Sequence, residues 1–181
     1  MPFPKSDNYT TDYIYALPEG QRAELIDGQI FDMAPPNRIH QEIVMNLSAE
    51  IRNYIKKNHG SCKVYPAPFA VFLNKDDKTY VEPDISVICN KSTLTDKGCN
   101  GAPDFIIEVV SPSSRRMDYL IKSGKYENAG VREYWIVDPE KERTTVYRYE
   151  EDAAPAIFLF NQDISVGIYN DLSINIAKLL E

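Results

Sequence analysis

Asp104-Phe105-Ile106-Ile107-Glu108-Val109-Val110 has the composition of a buried strand, yet one carboxylate is set into its apolar run. An ionised group in such a place is costly unless a cation or a hydrogen-bond donor pairs with it. Alternation puts Asp104, Ile106, Glu108 and Val110 on one face. A carboxylate on a merely wet face would expose Ile106 and Val110 beside it, so a functional reading of Glu108 is favoured. Upstream, Glu82-Pro83-Asp84 opens a second strand, Ile85-Ser86-Val87-Ile88, and downstream Asp118 and Lys122 fall on a helix. Carboxylates from two neighbouring strands with a lysine nearby can hold a divalent cation and neutralise a phosphate.

Around these residues the order is strand, strand, helix, strand. It requires a crossover connection, hence a locally parallel pair and a mixed α/β sheet flanked by helices. Residues 23–26 and 29–33 pattern as a hairpin about the Asp27-Gly28 turn. From residue 38 to 59, Ile39, Ile43, Leu47, Ile51 and Ile55 recur every four positions, which predicts an amphipathic helix with Asn37 as N-cap and Gly60 at its end. A short helix is expected over 13–17, capped by Thr10-Thr11-Asp12 and stopped by Pro18. Short strands follow over 62–65, 69–73 and 80–89, the last broken by Pro83. Residues 90–103, rich in Ser, Thr, Asp, Gly and Asn, pattern as a loop. Ser111-Pro112-Ser113-Ser114 starts a helix over about 115–129, with Gly130 past its end. Further strands are expected over 133–138, 143–149, 156–160 and 164–168, and a terminal helix over 174–180.

At 181 residues the chain is most simply one domain over 1–181, with its core over about 23–149. Twelve tyrosines and seven phenylalanines favour a sheet-rich fold. No segment has the ~18–20 apolar residues of a membrane span. The stretch Met1-Pro2-Phe3-Pro4-Lys5-Ser6 lacks the apolar run of a secretory signal, so a cytoplasmic location is expected. Cys62, Cys89 and Cys99 are odd in number and have no close spacing. Neither a disulfide framework nor a zinc site is indicated, and Cys89 is expected as a small core residue. A net charge of −7 weighs against nucleic acid as a partner, although an acidic site and acidic tail supply part of it.

Magnesium, or manganese in its place, takes one or two protein carboxylates and keeps several waters. Asp84 and Glu108 are the natural ligands, and the Val109 carbonyl could complete the protein's share. Arg115, Asp118, Lys122 and Tyr126 form one helical stripe at spacings of three and four. Such a stripe is ordinarily a solvated face, and Asp118 with Lys122 an ordinary ion pair. Glu24 is either a third carboxylate or an exposed strand residue, and a histidine such as His40 is more often structural than catalytic. Arg115-Arg116, Lys122, Lys125, Arg132 and Lys56-Lys57 form either a basic face for phosphates or plain solvated surface.

Taken together, Glu24-Leu25-Ile26-Asp27-Gly28, His40, Pro83-Asp84, Glu108-Val109-Val110-Ser111-Pro112-Ser113, Asp118-x-x-x-Lys122, Tyr126, Gly130-Val131 and Glu133-Tyr134-Trp135-Ile136-Val137-Asp138 resemble the Uma family of restriction-endonuclease-like proteins, within the PD-(D/E)XK nuclease superfamily. The superfamily usually places its lysine two residues after the glutamate, where this chain has Val110. In the Uma-like pattern the following helix supplies it, which points to Lys122. The resemblance implies a restriction-endonuclease-like core and a four-residue site of Glu24, Asp84, Glu108 and Lys122. It further implies Mg²⁺-dependent hydrolysis of phosphodiester bonds, DNA as substrate and a homodimer. The rival reading, in line with the acidic charge, is a non-catalytic nuclease-fold module for nucleic-acid binding or assembly. Convergence of the four residues within metal-binding reach discriminates between them.

Overall fold

The computed structural model describes residues 8–151 and 153–181; the segment Met1–Ser6 considered above lies outside them. Its centre is a six-stranded mixed sheet in the order β11-β10-β9-β8-β5-β3. The elements in chain order are α1 (Thr11–Tyr15), β1 (Ala23–Ile26), β2 (Gln29–Asp32), α2 (Arg38–Lys57), β3 (Lys63–Pro66), β4 (Val71–Phe72), β5 (Ile85–Ile88), β6 (Leu94–Thr95), β7 (Gly98–Asn100), β8 (Phe105–Val109), a π-helical turn (Met117–Lys122) running into α3 (Ser123–Ala129), β9 (Glu133–Asp138), β10 (Arg143–Arg148), β11 (Ala156–Leu159), β12 (Ile164–Ser165), β13 (Ser173–Ile174) and α4 (Ile176–Leu179). β8 and β9 are parallel, joined by the expected crossover through α3, while β5 and β8 are antiparallel with Ile85 opposite Ile107.

Both faces of the sheet are covered, which is why β8 and β9 are buried along their whole length. On one face α2 packs Ile43, Val44, Leu47, Ile51 and Ile55 against Ile85, Phe105, Ile107, Trp135 and Val137. Its N-terminus is fixed by Asn37 Oδ1, which accepts from His40 N at 2.9 Å. Ile39, placed on the apolar stripe by its spacing, is 37 % exposed. On the other face the π turn and α3 cover Ile106, Val110, Tyr134 and Ile136 with Met117, Tyr126 and Val131, joined by Ile26, Val71 and Val81. The described residues thus carry the sheet between two helical layers.

The hairpin turns where expected, with Asp27 and Gly28 both at positive φ. Several boundaries differ from the sequence reading. The first helix lies over Thr11–Tyr15, and Thr10 caps it without a side-chain hydrogen bond. The terminal helix is one turn, Ile176–Leu179, because Ser173 and Ile174 pair with β12. The 90–103 segment is not plain loop: it carries a 3₁₀ turn and the strands β6 and β7, and β7 also pairs in parallel with β4. Gly98 makes that approach possible. Its φ is 141° and an added Cβ would stand 2.2 Å from the Ala70 carbonyl oxygen.

Cys62 and Cys89 form a disulfide, contrary to the expectation from their spacing. The antiparallel β3–β5 register sets Lys63 opposite Ile88, so the residues one step further out face each other. Cys89 is therefore half-buried in a bridge, and Cys99 is the buried free thiol. Among the described residues no helix is long and apolar enough to cross a membrane.

Candidate active site

Antiparallel pairing with Ile85 opposite Ile107 brings Asp84, just before β5, alongside Glu108, near the end of β8. Two backbone amides tie the pair together. Val109 N donates to Asp84 Oδ2 at 2.8 Å, and Asp84 N donates to Glu108 Oε2 at 3.2 Å. Glu108 Oε1 accepts from the Tyr126 hydroxyl at 2.7 Å and from Lys122 Nζ at 2.9 Å. Lys122 also reaches Glu24 at 2.8 Å and Asp118 at 3.6 Å. Glu24 is held in turn by the Glu82 amide, which donates to its Oε1 at 2.9 Å. All four residues of the expected set thus lie in one cluster, with Lys122 bridging Glu24 to Glu108 and Asp84 beside Glu108. The Val109 amide binds Asp84.

The helical stripe is not a solvated face. Asp118, Lys122 and Tyr126 are all buried and point into the sheet, whereas Leu120 is 69 % exposed. Glu24 is likewise buried rather than an exposed strand residue. His40 stands closer to the site than its sequence context suggested: its Nε2 lies 3.1 Å from Asp84 Oδ2, and its buried Nδ1 has no hydrogen-bond partner among the described residues. Asp118 and Tyr126 were visible in the sequence as members of the stripe. His40 carried no local signal, because its contact with Asp84 spans 44 residues.

Electrostatically the cluster is overloaded with negative charge. Glu24, Asp84, Glu108 and Asp118 surround one buried ammonium. Burial pushes the Glu108 carboxyl well above the usual carboxylate range; Lys122 opposes this, and Asp118, Asp84 and Glu24 add to it. Burial likewise raises Asp118 to about 6, against the pull of Lys122 and a hydrogen bond from Ser114. Burial alone would lower Lys122, but Glu108, Glu24 and Asp118 outweigh it and hold its ammonium charged. Glu133 is the instructive contrast. It too is buried in a strand, but its oxygens accept from Trp135 Nε1 at 2.7 Å and Ile168 N at 3.1 Å, neutral donors that anchor the C-terminal segment. It is a structural carboxylate, whereas Glu108 takes one of its three hydrogen bonds from the Lys122 ammonium and has further carboxyl groups beside it.

Among the described residues no group of three or more His, Cys, Asp or Glu side chains converges as a metal cage. Asp84 and Glu108 nevertheless fit a hard divalent cation, which needs only one or two carboxylates and brings its own waters. Both donors of Asp84, the Val109 amide and His40, lie on Oδ2. Asp84 and His40 are also the most accessible members of the cluster, with side chains 15 % exposed against 4–6 % for Glu24, Glu108, Asp118 and Lys122. The unbalanced charge therefore opens to solvent at Asp84.

The expected basic face is mostly neutralised. Arg115 binds Asp138 and Glu140, Arg132 binds Glu150 and Asp104, and Lys125 binds Asp27.

A mixed sheet with paired carboxylates on antiparallel strands and a lysine from the following helix is a restriction-endonuclease-like core. The family described as "Putative restriction endonuclease", Uma2, matches residues 10–176, and the chain belongs to that family. It is 24 % identical over 156 residues, 83 % of this chain and 78 % of the other, to the uncharacterized protein slr1290 of Synechocystis sp. (strain ATCC 27184 / PCC 6803 / Kazusa). Its fold is similar to that of a crystal structure from Anabaena variabilis ATCC 29413, described as "a putative nuclease belonging to DUF820". The TM-score is 0.76 at 21 % identity, covering 94 % of this chain and 96 % of that one.

Proposed function

We propose that this chain is a metal-dependent DNA endonuclease whose site comprises Glu24, Asp84, Glu108 and Lys122. The observation that carries the reading is the side-by-side pair Asp84 and Glu108, tied by reciprocal backbone amides, with Lys122 Nζ 2.9 Å from Glu108. Asp84, Glu108 and the Val109 carbonyl would hold Mg²⁺ or Mn²⁺. When bound, the cation supplies Lewis acidity toward water and the phosphate oxygens. Lys122 serves as a fixed positive charge for the developing phosphorane rather than as a base, because its carboxylate neighbours keep it protonated. Glu24 positions Lys122, the Tyr126 hydroxyl positions Glu108, and the Val109 amide with His40 positions Asp84. The crowding of four carboxyl groups about one ammonium supports a divalent partner, since a cation would favour the ionised forms that burial and mutual repulsion oppose.

The test is incubation of supercoiled plasmid with the protein in Mg²⁺, Mn²⁺ or EDTA. Nicked or linear product is expected with either metal and none in EDTA or with Asp84→Ala. Intact plasmid under every condition would favour the second reading, a non-catalytic nuclease-fold module. That reading draws support from Lys122, whose ammonium already occupies the centre of the acidic cluster.

A homodimer and a cytoplasmic location belong to the same proposal. Ile157 and Leu159, 59 % and 54 % exposed on the edge strand β11, support self-association. Light scattering at micromolar concentration is expected to show twice the 20.7 kDa chain mass, and a monomer alone would count against it. In a cytoplasm the Cys62–Cys89 pair would be held as thiols.

A further inference from the structure

Among the described residues, two arginines at the same end of the sheet as the candidate site make no ion pair. Arg116 is exposed on the outer side of the π turn, and Arg143 begins β10. Arg143 Nε is buried and has no hydrogen-bond partner among the described residues. Together with Pro112, Arg115, Tyr119 and Leu120 they line a groove of about 470 Å³. The nearby carboxylates Asp138 and Glu140 are both bound by Arg115, and neither pairs with Arg116 or Arg143 among the described residues, so three guanidinium groups face two carboxylates.

Strand register fixes where this groove lies. Glu108 pairs with Ile136 on β9, and two residues further along Asp138 pairs with Arg143 on β10. Alternation puts Glu108, Ile136, Asp138 and Arg143 on one face, the face that carries Lys122. Two interstrand steps and two residues along a strand separate the Glu108 and Arg143 backbones by about 12 Å. At a rise of about 3.4 Å per nucleotide, that is the span of a few nucleotides.

We propose that the Arg116–Arg143 groove binds the phosphodiester backbone of duplex DNA, a few nucleotides from the phosphate at Asp84 and Glu108. The inference rests on the nuclease reading for its substrate. Guanidinium groups suit phosphate oxygens, which they meet with paired, fixed donors. The apolar surface of Leu120, Tyr119 and Pro112 suits the sugar faces between phosphates. A local basic groove also reconciles an acidic chain with a polyanionic partner: the attraction is confined to one flank of the site.

The probe is a short fluorescein-labelled DNA duplex, its anisotropy titrated at several salt concentrations in EDTA to prevent cleavage. Arg116→Ala, at an exposed position, should weaken binding about eightfold at 0.1 M salt and reduce the slope of log K against log salt by about one. Arg116→Ala with Arg143→Ala should reduce the slope by about two. Lys178→Ala, remote on α4, should leave both unchanged. An unchanged slope in Arg116→Ala, an equal loss in Lys178→Ala, or no binding by the parent protein would overturn the inference. Should the Arg143 variant not fold, Arg116→Ala still decides. Plasmid cleavage with Mn²⁺ is scored separately. Cleavage without slope dependence removes the groove and keeps the nuclease; slope dependence without cleavage keeps the groove and removes the nuclease.

Discussion

Lys122→Met is expected to be the most damaging single substitution in this chain, lowering stability by about 3–5 kcal/mol at neutral pH. The ammonium touches Glu24, Glu108 and Asp118, all with side chains 4–6 % exposed. Removing it leaves buried carboxylates with no cation among them, whereas methionine still fills the volume. The loss should shrink on acidification. Carboxyls raised by burial bind protons more tightly folded than unfolded, so stability is greatest below their unfolded pKa and falls as pH rises through the folded value. Asp118, at about 6 against an ordinary 3.8, already gives the parent protein this trend. Urea denaturation of parent and variant at pH 5 and pH 8 checks both statements. Equal midpoints at pH 8 would mean that Lys122 does not hold the cluster together.

Glu108→Gln is expected to separate function from fold. Divalent-cation affinity should be lost and DNA cleavage should fall by at least about 10³-fold, the scale on which a key electrostatic group acts. Stability should stay within about 1–2 kcal/mol of the parent, because a neutral amide relieves part of the negative surplus while leaving the Asp84 amide without a good acceptor. Lys122 keeps Glu24 and Asp118. Calorimetric titration with Mn²⁺ reads the affinity and thermal melting reads the fold. Unchanged Mn²⁺ affinity would remove Glu108 from the ligand set, whatever happened to cleavage.

The sequence carries what is periodic or locally costly and loses what depends on distant pairing. Glu108 stood out because a charge in an apolar strand needs a partner, and the Asp27-Gly28 hairpin and α2 followed from turn chemistry and spacing. The stripe of Arg115, Asp118, Lys122 and Tyr126 did not reveal its direction. A polar helix face looks the same whether it meets water or a bed of carboxylates, and only the placement of Glu24 and Glu108 decides. The Cys62–Cys89 pairing and the His40–Asp84 contact depend on register across 27 and 44 residues. β6 and β7 were hidden because two or three residues between turn formers carry no alternation of their own.

The π turn has a bearing on how this site can vary over time. In an unbroken α-helix, positions eight apart drift by about 80°, enough to carry Tyr126 off the line of Asp118. The wider turn at Met117–Lys122 takes up that drift, and Asp118, Lys122 and Tyr126 all face inward. The helix thus counts residues as much as it chooses them. Leu120, on its outer side, is open to exchange, whereas loss of one residue between Asp118 and Lys122 would restore ordinary winding and rotate Lys122 and Tyr126 together out of register with Asp118. In this segment descendants should differ in letters before they differ in length.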